Sequence, residues 1–339
     1  MSRGERVVEN LNRGLHDVLA SDPRTVLIGE DILDPYGGAF KASKGLSSKF
    51  PDRVLTTPLS EGAIVGLACG LAFCGDRPIV EIMFGDFMAL AFDQVLNMAS
   101  KSVTMYGRRV SLPMVIRCPT GGNRAYGPTH SQSLQKHFIG IPNLHLFELS
   151  AFHDSGRLLT QLLGLDHPCV LFEDKTLYGQ RVHSGGEVDD LFSFEFLDPD
   201  AGIARVFSKD FTGASCVIIA PGGLAQRSLI AARRLFIDHE IECEVLVPSR
   251  LYPLDLAPML SSLRSVEQVF LVEESVAGGT WGAEVAQKIY EALWGELKNP
   301  IRSIHSRDSI IPSAAHLEKD VIVQADDIYE TIMTAVLHA

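Results

Sequence analysis

The sequence contains no Cys-x-x-Cys pair, and its six cysteines (Cys69, Cys74, Cys118, Cys169, Cys216, Cys243) stand singly in mostly apolar stretches. That excludes a zinc ribbon or a disulfide framework and points to reduced, buried thiols in a cytoplasmic protein. Long hydrophobic runs are also missing. The longest uncharged stretch of the first half, 62–75, has 14 residues, short of the roughly 18–20 that cross a bilayer, so it is expected to be a buried helix. The amino-terminal stretch 1–22 spaces Val8, Leu11, Leu15 and Leu19 at helical intervals among charges and lacks the apolar core of a signal peptide. No membrane association or export is expected. Basic charge is the scarcer sign: 30 Lys and Arg face 42 Asp and Glu, a net charge of −12 that argues against a nucleic-acid partner.

Several signatures of self-sufficient chemistry are absent as well. There is no Gly-x-Gly-x-x-Gly after a strand, no Walker-type Gly-Lys-Ser/Thr, no Gly-x-Ser-x-Gly, no His-Glu-x-x-His and no metal-spaced Cys/His set. The glycines at 278, 279 and 282 imitate a phosphate loop but lack its lysine and spacing, so a tight turn and helix cap is the expected role.

What is present is a soluble globular composition, 46% hydrophobic and 21% charged, in a chain of 339 residues that is long enough for two domains. Apolar strand-like runs at 26–28, 78–83, 114–117, 144–149 and 169–173 alternate with helical patterns, which predicts a parallel α/β sheet. From about 176 to 212 the sequence turns polar and irregular, and a linker is expected there. The alternation then restarts with strands at 216–223, 242–248, 269–275 and 301–306 and helices from Leu224 and near Trp281. The fold class is therefore α/β with two doubly wound domains: 1–185, a linker at 186–212, and 213–339.

Three segments carry candidate chemistry. In 56–75, Pro58, Ser60 and Glu61 open an apolar helix whose Gly62, Gly66 and Gly70 recur every four residues, a spacing that lets another backbone approach. Glu61 is either a carboxylate complementing the helix dipole or an acid carried into an interface, where burial demands a partner. In 77–97, a strand leading into a helix, Phe84, Phe87 and Phe92 lie close to Glu81, Asp86 and Asp93. These aromatics are either core or a wall for a flat heterocycle. In 116–137, a Gly/Pro-rich polar loop after a strand delivers Thr129, His130, Ser131 and Gln132, and such loops are where α/β proteins place sites. His130 is either solvent-exposed or functional.

From end to end the chain resembles the β subunit of the thiamine-diphosphate-dependent decarboxylase component of 2-oxo acid dehydrogenases, the pyruvate, branched-chain and acetoin types. The segments that carry the resemblance are IGED (28–31), YGGAF (36–40), TPLSEGAIVG (57–66), RPIVEIMFGDF (77–87), FDQVLN (92–97), GPTHSQS (127–133), YPLD (252–255) and EES-x-x-GG-x-x-GAE (273–284). The resemblance implies a transketolase-like pyrimidine-binding domain followed by a transketolase carboxy-terminal-like domain. The family's Gly-Asp-Gly motif for diphosphate and magnesium is missing here. This fits a β chain whose α partner holds Mg2+ and the diphosphate end.

Carried over by position, Glu61 matches the carboxylate that hydrogen-bonds the aminopyrimidine ring nitrogen. Phe87 matches the aromatic packed on that ring, with Met83 on the same wall, and His130 matches the family's active-site histidine, whose ordinary pKa near 6.5 suits proton transfer. The resemblance further implies a 2-oxo acid substrate, a second β chain in a heterotetramer, and docking of a dihydrolipoyl acyltransferase. The sequence departs from the family pattern in GLDH (164–167), which lacks the Asp and Asn of a potassium loop, so no metal is assigned to this chain, and in VPSRLYP (247–253). Similar segments also occur in biosynthetic chains, so an acyloin-forming transferase that uses no lipoyl protein is the alternative activity, and a scaffold role the non-enzymatic one.

Overall fold

The computed structural model describes residues 4–198 and 202–337. The chain divides into two compact units, Met1–Gly121 with Phe138–Val182, and Gly122–His137 with His183–Ala339.

The first unit runs α1 (Val7–Ser21), β1 (Thr25–Gly29), α2 (Leu46–Lys49), β2 (Val54–Thr56), α3 (Glu61–Phe73), β3 (Arg77–Glu81), α4 (Ser100–Ser102), β4 (Met114–Thr120), β5 (His145–Leu149), α5 (Ser155–Gly164) and β6 (Pro168–Asp174). Its strands lie in the order β5-β6-β4-β3-β1-β2 and pair in parallel. Side-chain alternation sorts the two faces. Leu27, Ile79, Val115, Phe147 and Leu171 join one core with Leu11, Leu15 and Leu19 of α1 and Leu158, Leu159 and Leu162 of α5. On the other face α3 packs against β3 and β4, with Cys69 Sγ 3.8 Å from Met114 Sδ. Each wholly buried aliphatic side chain contributes about 1.5–3 kcal/mol relative to exposure.

Several expectations change in this unit. Helix α3 is buried on one side only: Leu67 is 49% exposed and Phe73 37%. A Cβ on Gly62 or Gly66 would meet Leu90 O and Gln94 Oε1 of the same chain, whereas one on Gly70 would meet nothing within 4 Å. Gly62 and Gly66 thus serve an internal packing contact, and only Gly70 faces open space. The helix expected after β3 is instead a 3₁₀ segment, Gly85–Ala89, followed by a π-helical turn, Gln94–Ala99. The chain passes close to β4 here, where a Cβ on Gly85 would sit 3.0 Å from Thr120 Oγ1 and 3.2 Å from Pro119 O. All six cysteines are free, but Cys74 is exposed rather than buried.

The second unit contains β7 (Phe192–Asp198), β8 (Ile203–Ser208), β9 (Cys216–Ile219), α6 (Leu224–His239), β10 (Cys243–Pro248), β11 (Arg250–Tyr252), α7 (Leu260–Ser265), β12 (Gln268–Val276), α8 (Trp281–Leu293), β13 (Arg302–Ser306), α9 (Ala315–Val321) and α10 (Ala325–Leu337). Its sheet order is β13-β12-β9-β10-β8-β7, with β13, β12, β9 and β10 parallel and β8 and β7 antiparallel. Within the stretch expected to be a linker, β7 and β8 form a paired sheet edge. The alternation of Phe192, Phe194 and Phe196 is a half-buried strand pattern hidden among polar residues. Residues Gly122–His137, inside the span assigned from sequence to the first domain, cluster with this second unit. The glycines at 278–282 form a turn and cap. Thr280 accepts from the Ala283 N–H at 3.1 Å, and the Gly282 N–H donates to Glu273 at 2.5 Å, so an internal carboxylate takes the start of α8.

Candidate active site

In a parallel α/β sheet, ligands bind outside the carboxyl ends of the strands, where the order of connection reverses. In the first unit that reversal falls between β1 and β3, because the chain passes outward from β1 to β2 and then returns through α3 to β3 on the far side of β1. Three of the four sequence-selected residues gather around these strand ends. Glu61 is the first residue of α3 and is 7% exposed; Ser60 precedes it and makes no side-chain cap. Met83 and Phe87 follow β3 directly and are half-buried. Phe87 meets Phe84 edge-on at 5.8 Å, Phe84 meets Phe40 at 5.6 Å, and Lys175 Nζ lies 5.5 Å over the Phe84 ring. The aromatics therefore form a half-buried, interlocked group beside these strand ends.

Glu30, immediately after β1, completes this set. It is 3% exposed, and among the described residues no donor reaches its carboxylate oxygens in hydrogen-bonding geometry. Burial, and next the charge of Glu61, raise its pKa against a weaker opposing pull from the Ser60 backbone amide. An unpaired buried carboxylate beside a second one is costly unless something else satisfies the pair. Sequence reasoning quoted IGED but did not select Glu30. The available signal was an acid directly at the carboxyl end of an apolar strand.

A second buried acid cluster lies in the same unit and is fully partnered. Arg117, 1% exposed in the middle of β4, donates Nε to Glu173 Oε1 at 2.9 Å and Nη2 to Glu173 Oε2 at 2.7 Å, and its Nη1 bonds Glu81. Tyr178 donates to Glu173 at 2.6 Å and Ser43 to Glu81 at 2.6 Å. Burial opposes the Arg117 charge, but Glu173 and Glu81 outweigh it and its pKa is raised.

His130 belongs to the second unit and is half-buried, with Nδ1 3.0 Å from Thr129 Oγ1 and its N–H donating to Gly127 O at 3.3 Å. Its neighbours Arg124, Tyr126, Pro128 and Thr129 are exposed, while the loop around it is tied to the second unit. The Gly122 N–H and the Ser133 hydroxyl both donate to Glu274 Oε1, at 2.8 and 3.0 Å, and the Ala125 N–H donates to Glu318 at 2.8 Å. Among the described residues no group of three or more His, Cys, Asp or Glu is placed to hold a metal ion. No described helix is long and apolar enough to cross a membrane.

A buried carboxylate at a helix mouth beside a half-buried aromatic face suits a flat heterocycle with a protonatable ring nitrogen, and comparison with known proteins gives such a setting. Residues 7–180 match the transketolase pyrimidine-binding domain and residues 207–328 the transketolase C-terminal domain. The chain is 34% identical over 334 residues to "Pyruvate dehydrogenase E1 component subunit beta-2, mitochondrial" of Oryza sativa subsp. japonica, covering 98% of this chain and 86% of that one. It is 32% identical to "Acetoin:2,6-dichlorophenolindophenol oxidoreductase subunit beta" of Cupriavidus necator (97% of this chain, 96% of that one) and 32% identical to "Pyruvate dehydrogenase E1 component subunit beta" of Leifsonia xyli subsp. xyli (96% and 93%). A solved structure titled "Split gene transketolase, inactive beta4 tetramer" shares the fold with a TM-score of 0.73 at 20% identity, covering 99% of each chain. The chain therefore belongs to the family of pyruvate dehydrogenase E1 β-type subunits, in which a transketolase pyrimidine-binding domain precedes a transketolase C-terminal domain.

Proposed function

We propose that the chain is the β subunit of a thiamine-diphosphate-dependent 2-oxo acid dehydrogenase and acts with an α-type subunit that holds the diphosphate and Mg2+. The observation that carries this reading is the buried Glu61, set with Glu30, Met83 and Phe87 around the carboxyl ends of β1 and β3 in a pyrimidine-binding domain. When bound, thiamine diphosphate supplies the carbon nucleophile that adds to the 2-oxo carbon and permits loss of carbon dioxide.

The work of this chain follows from its residues. Glu61 holds a proton at the aminopyrimidine ring nitrogen through a carboxylate oxygen, and burial keeps water from competing for that bond. Phe87 and Met83 fix the plane of the ring by apolar contact. His130 exchanges protons at the substrate-derived oxygen and at the lipoyl acceptor, since an imidazole can both donate and accept a hydrogen bond. Exposed apolar side chains of the first unit, Leu59 (80%), Leu90 (66%) and Leu67 (49%), supply surface for the α-type subunit and a second β chain. The acidic balance of the chain suits a basic docking segment of a dihydrolipoyl acyltransferase. We place the complex in the cytoplasm, and recovery of the native protein in an organelle or membrane pellet would contradict that placement.

The test is co-expression with the α-type chain followed by decarboxylation of a 2-oxo acid panel with thiamine diphosphate and Mg2+, with and without a lipoyl domain. Acylation of the lipoyl domain is the expected result. Acyloin products without lipoyl acylation would replace this reading by a biosynthetic transferase, and an absence of cofactor-dependent turnover across the panel would contradict it.

A further inference from the structure

The loop that carries His130 is closed by one carboxylate oxygen. Gly122 and Ser133, at its two ends, both donate to Glu274 Oε1 near the end of β12, at 2.8 and 3.0 Å. The other oxygen of Glu274 lies 2.6 Å from the Arg227 guanidinium of α6, which also donates to Val323 O at 3.0 Å. Burial works against the Glu274 charge, but Arg227 and the Gly122 and Ser133 donors hold its pKa below the usual glutamate value. Between the two ends, Ala125 N–H donates to Glu318 of α9 at 2.8 Å, and Gln324 Nε2 donates to Asn123 Oδ1 at 3.0 Å. Just beyond, Lys136 Nζ donates to the carbonyls of Val276 and Gly278, each at 3.0 Å.

Two of the loop glycines also lie close against neighbouring side chains of the same unit. A Cβ on Gly122 would lie 2.0 Å from Ile322 Cδ1, and one on Gly127, at φ +80°, would lie 2.6 Å from Ser313 Oγ. Two carboxylates, Glu274 with its side chain 6% exposed and Glu318 at 1%, thus take donors from one loop, and burial of a carboxylate is unfavourable unless its partners are held in place. Expenditure of this kind is expected where a side chain must be held in one place.

We propose that Glu274 is a positioning residue for His130, closing the loop through Gly122 and Ser133 with Glu318 as a second clamp. This rests on the reading of His130 as a group that handles protons in the reaction. The clasp sets where the imidazole sits, and Glu274 acts only through it.

Ser133→Ala removes one half of the clasp without touching the Arg227 pair, and Ser133→Thr restores the hydroxyl. In hydrogen exchange of the full-length chain, Ser133→Ala is expected to speed exchange across 123–132 about ten-fold while peptides of β9 and β10 stay unchanged, and Ser133→Thr to restore protection. In the complex with the α-type chain, Ser133→Ala is expected to lower kcat about five- to twenty-fold, with KM for the 2-oxo acid within about two-fold. In a His130→Gln background the same substitution is expected to change kcat by less than about two-fold, because the clasp then has nothing left to place. Unchanged exchange across 123–132 overturns the clasp. A loss of kcat that persists in full in the His130→Gln background overturns the positioning role. If His130→Gln alone leaves turnover intact, the catalytic reading of His130 falls and the positioning role with it, while the exchange arm still reports the clasp by itself.

Discussion

Two groups of buried carboxylates sit in the same sheet of the first unit and are treated in opposite ways. Glu81 and Glu173 lie on neighbours of β4 and are fully provided for by Arg117, Tyr178 and Ser43. Glu30 and Glu61, one strand away, share burial, and Glu30 has only the weak pull of the Ser60 backbone amide, with no donor in full hydrogen-bonding geometry among the described residues. The first group can be understood from the chain alone, as a polar network whose members satisfy one another. The second is not satisfied in that way, and on the reading proposed above a bound aminopyrimidine would be the missing partner of Glu61. A buried acid is therefore informative about function when its partners are missing, and about folding when they are present.

The sharpest way to break this contrast is to remove the cation from the satisfied group. Arg117→Met leaves Glu81 and Glu173 buried without a counter-charge and is expected to cost about 3–5 kcal/mol in denaturant unfolding of the chain. A loss below about 1 kcal/mol would mean that the network is no more structural than the Glu30 pair. Tyr178→Phe, which deprives Glu173 of one donor, is expected to cost about 1–2 kcal/mol by the same measurement.

The Glu30 pair is expected to respond with the opposite sign. Because burial and Glu61 raise the Glu30 pKa, its charged form is disfavoured in the folded chain. The resulting cost is absent below the ordinary value of 4.5 and grows as pH rises through the raised one. Glu30→Gln should therefore raise Tm by about 2–4 °C at pH 8 and by nothing at pH 4. A lower Tm at pH 8 would place Glu30 with the satisfied carboxylates. The smallest effect separates the two sides of α3. Gly70→Ala, where a Cβ meets nothing, is expected to stabilise the isolated chain by up to about 1 kcal/mol and to weaken assembly with the α-type or second β chain, read as the mass of the mixture by static light scattering. Stabilisation with unaltered assembly would remove Gly70 from the interface.

The legible part of this protein is the part written in local patterns. The strands at β1, β3, β4, β5 and β6, the α1 stripe of Leu11, Leu15 and Leu19, and α6 from Leu224 follow from apolar period and length. Edge elements escaped: Val54–Thr56 is a strand of three residues in polar surroundings, and β7 lies in a stretch rich in acids and glycines. The 3₁₀ and π turns after β3 were not legible in the apolar period, and the approach of Gly85 to Thr120 beside them is a contact between distant residues. The same holds for the candidate site. Glu61 stands out as a single acid opening an apolar helix, whereas what marks Glu30 is the absence of a partner, a property of three dimensions. The allegiance of the His130 loop is equally hidden, because Glu274 and Glu318 follow their partners Ser133 and Ala125 by 141 and 193 residues.

The central claim is that Glu61 is buried for chemistry and not for stability. The direct measurement is turnover of the complex of this chain with its α-type subunit, carrying Glu61→Gln, alongside Tm of the same protein. Turnover reduced by about a hundred-fold or more with Tm within about 2 °C is the predicted result. Turnover close to the unsubstituted complex would contradict it, as would a loss of activity that merely tracks unfolding.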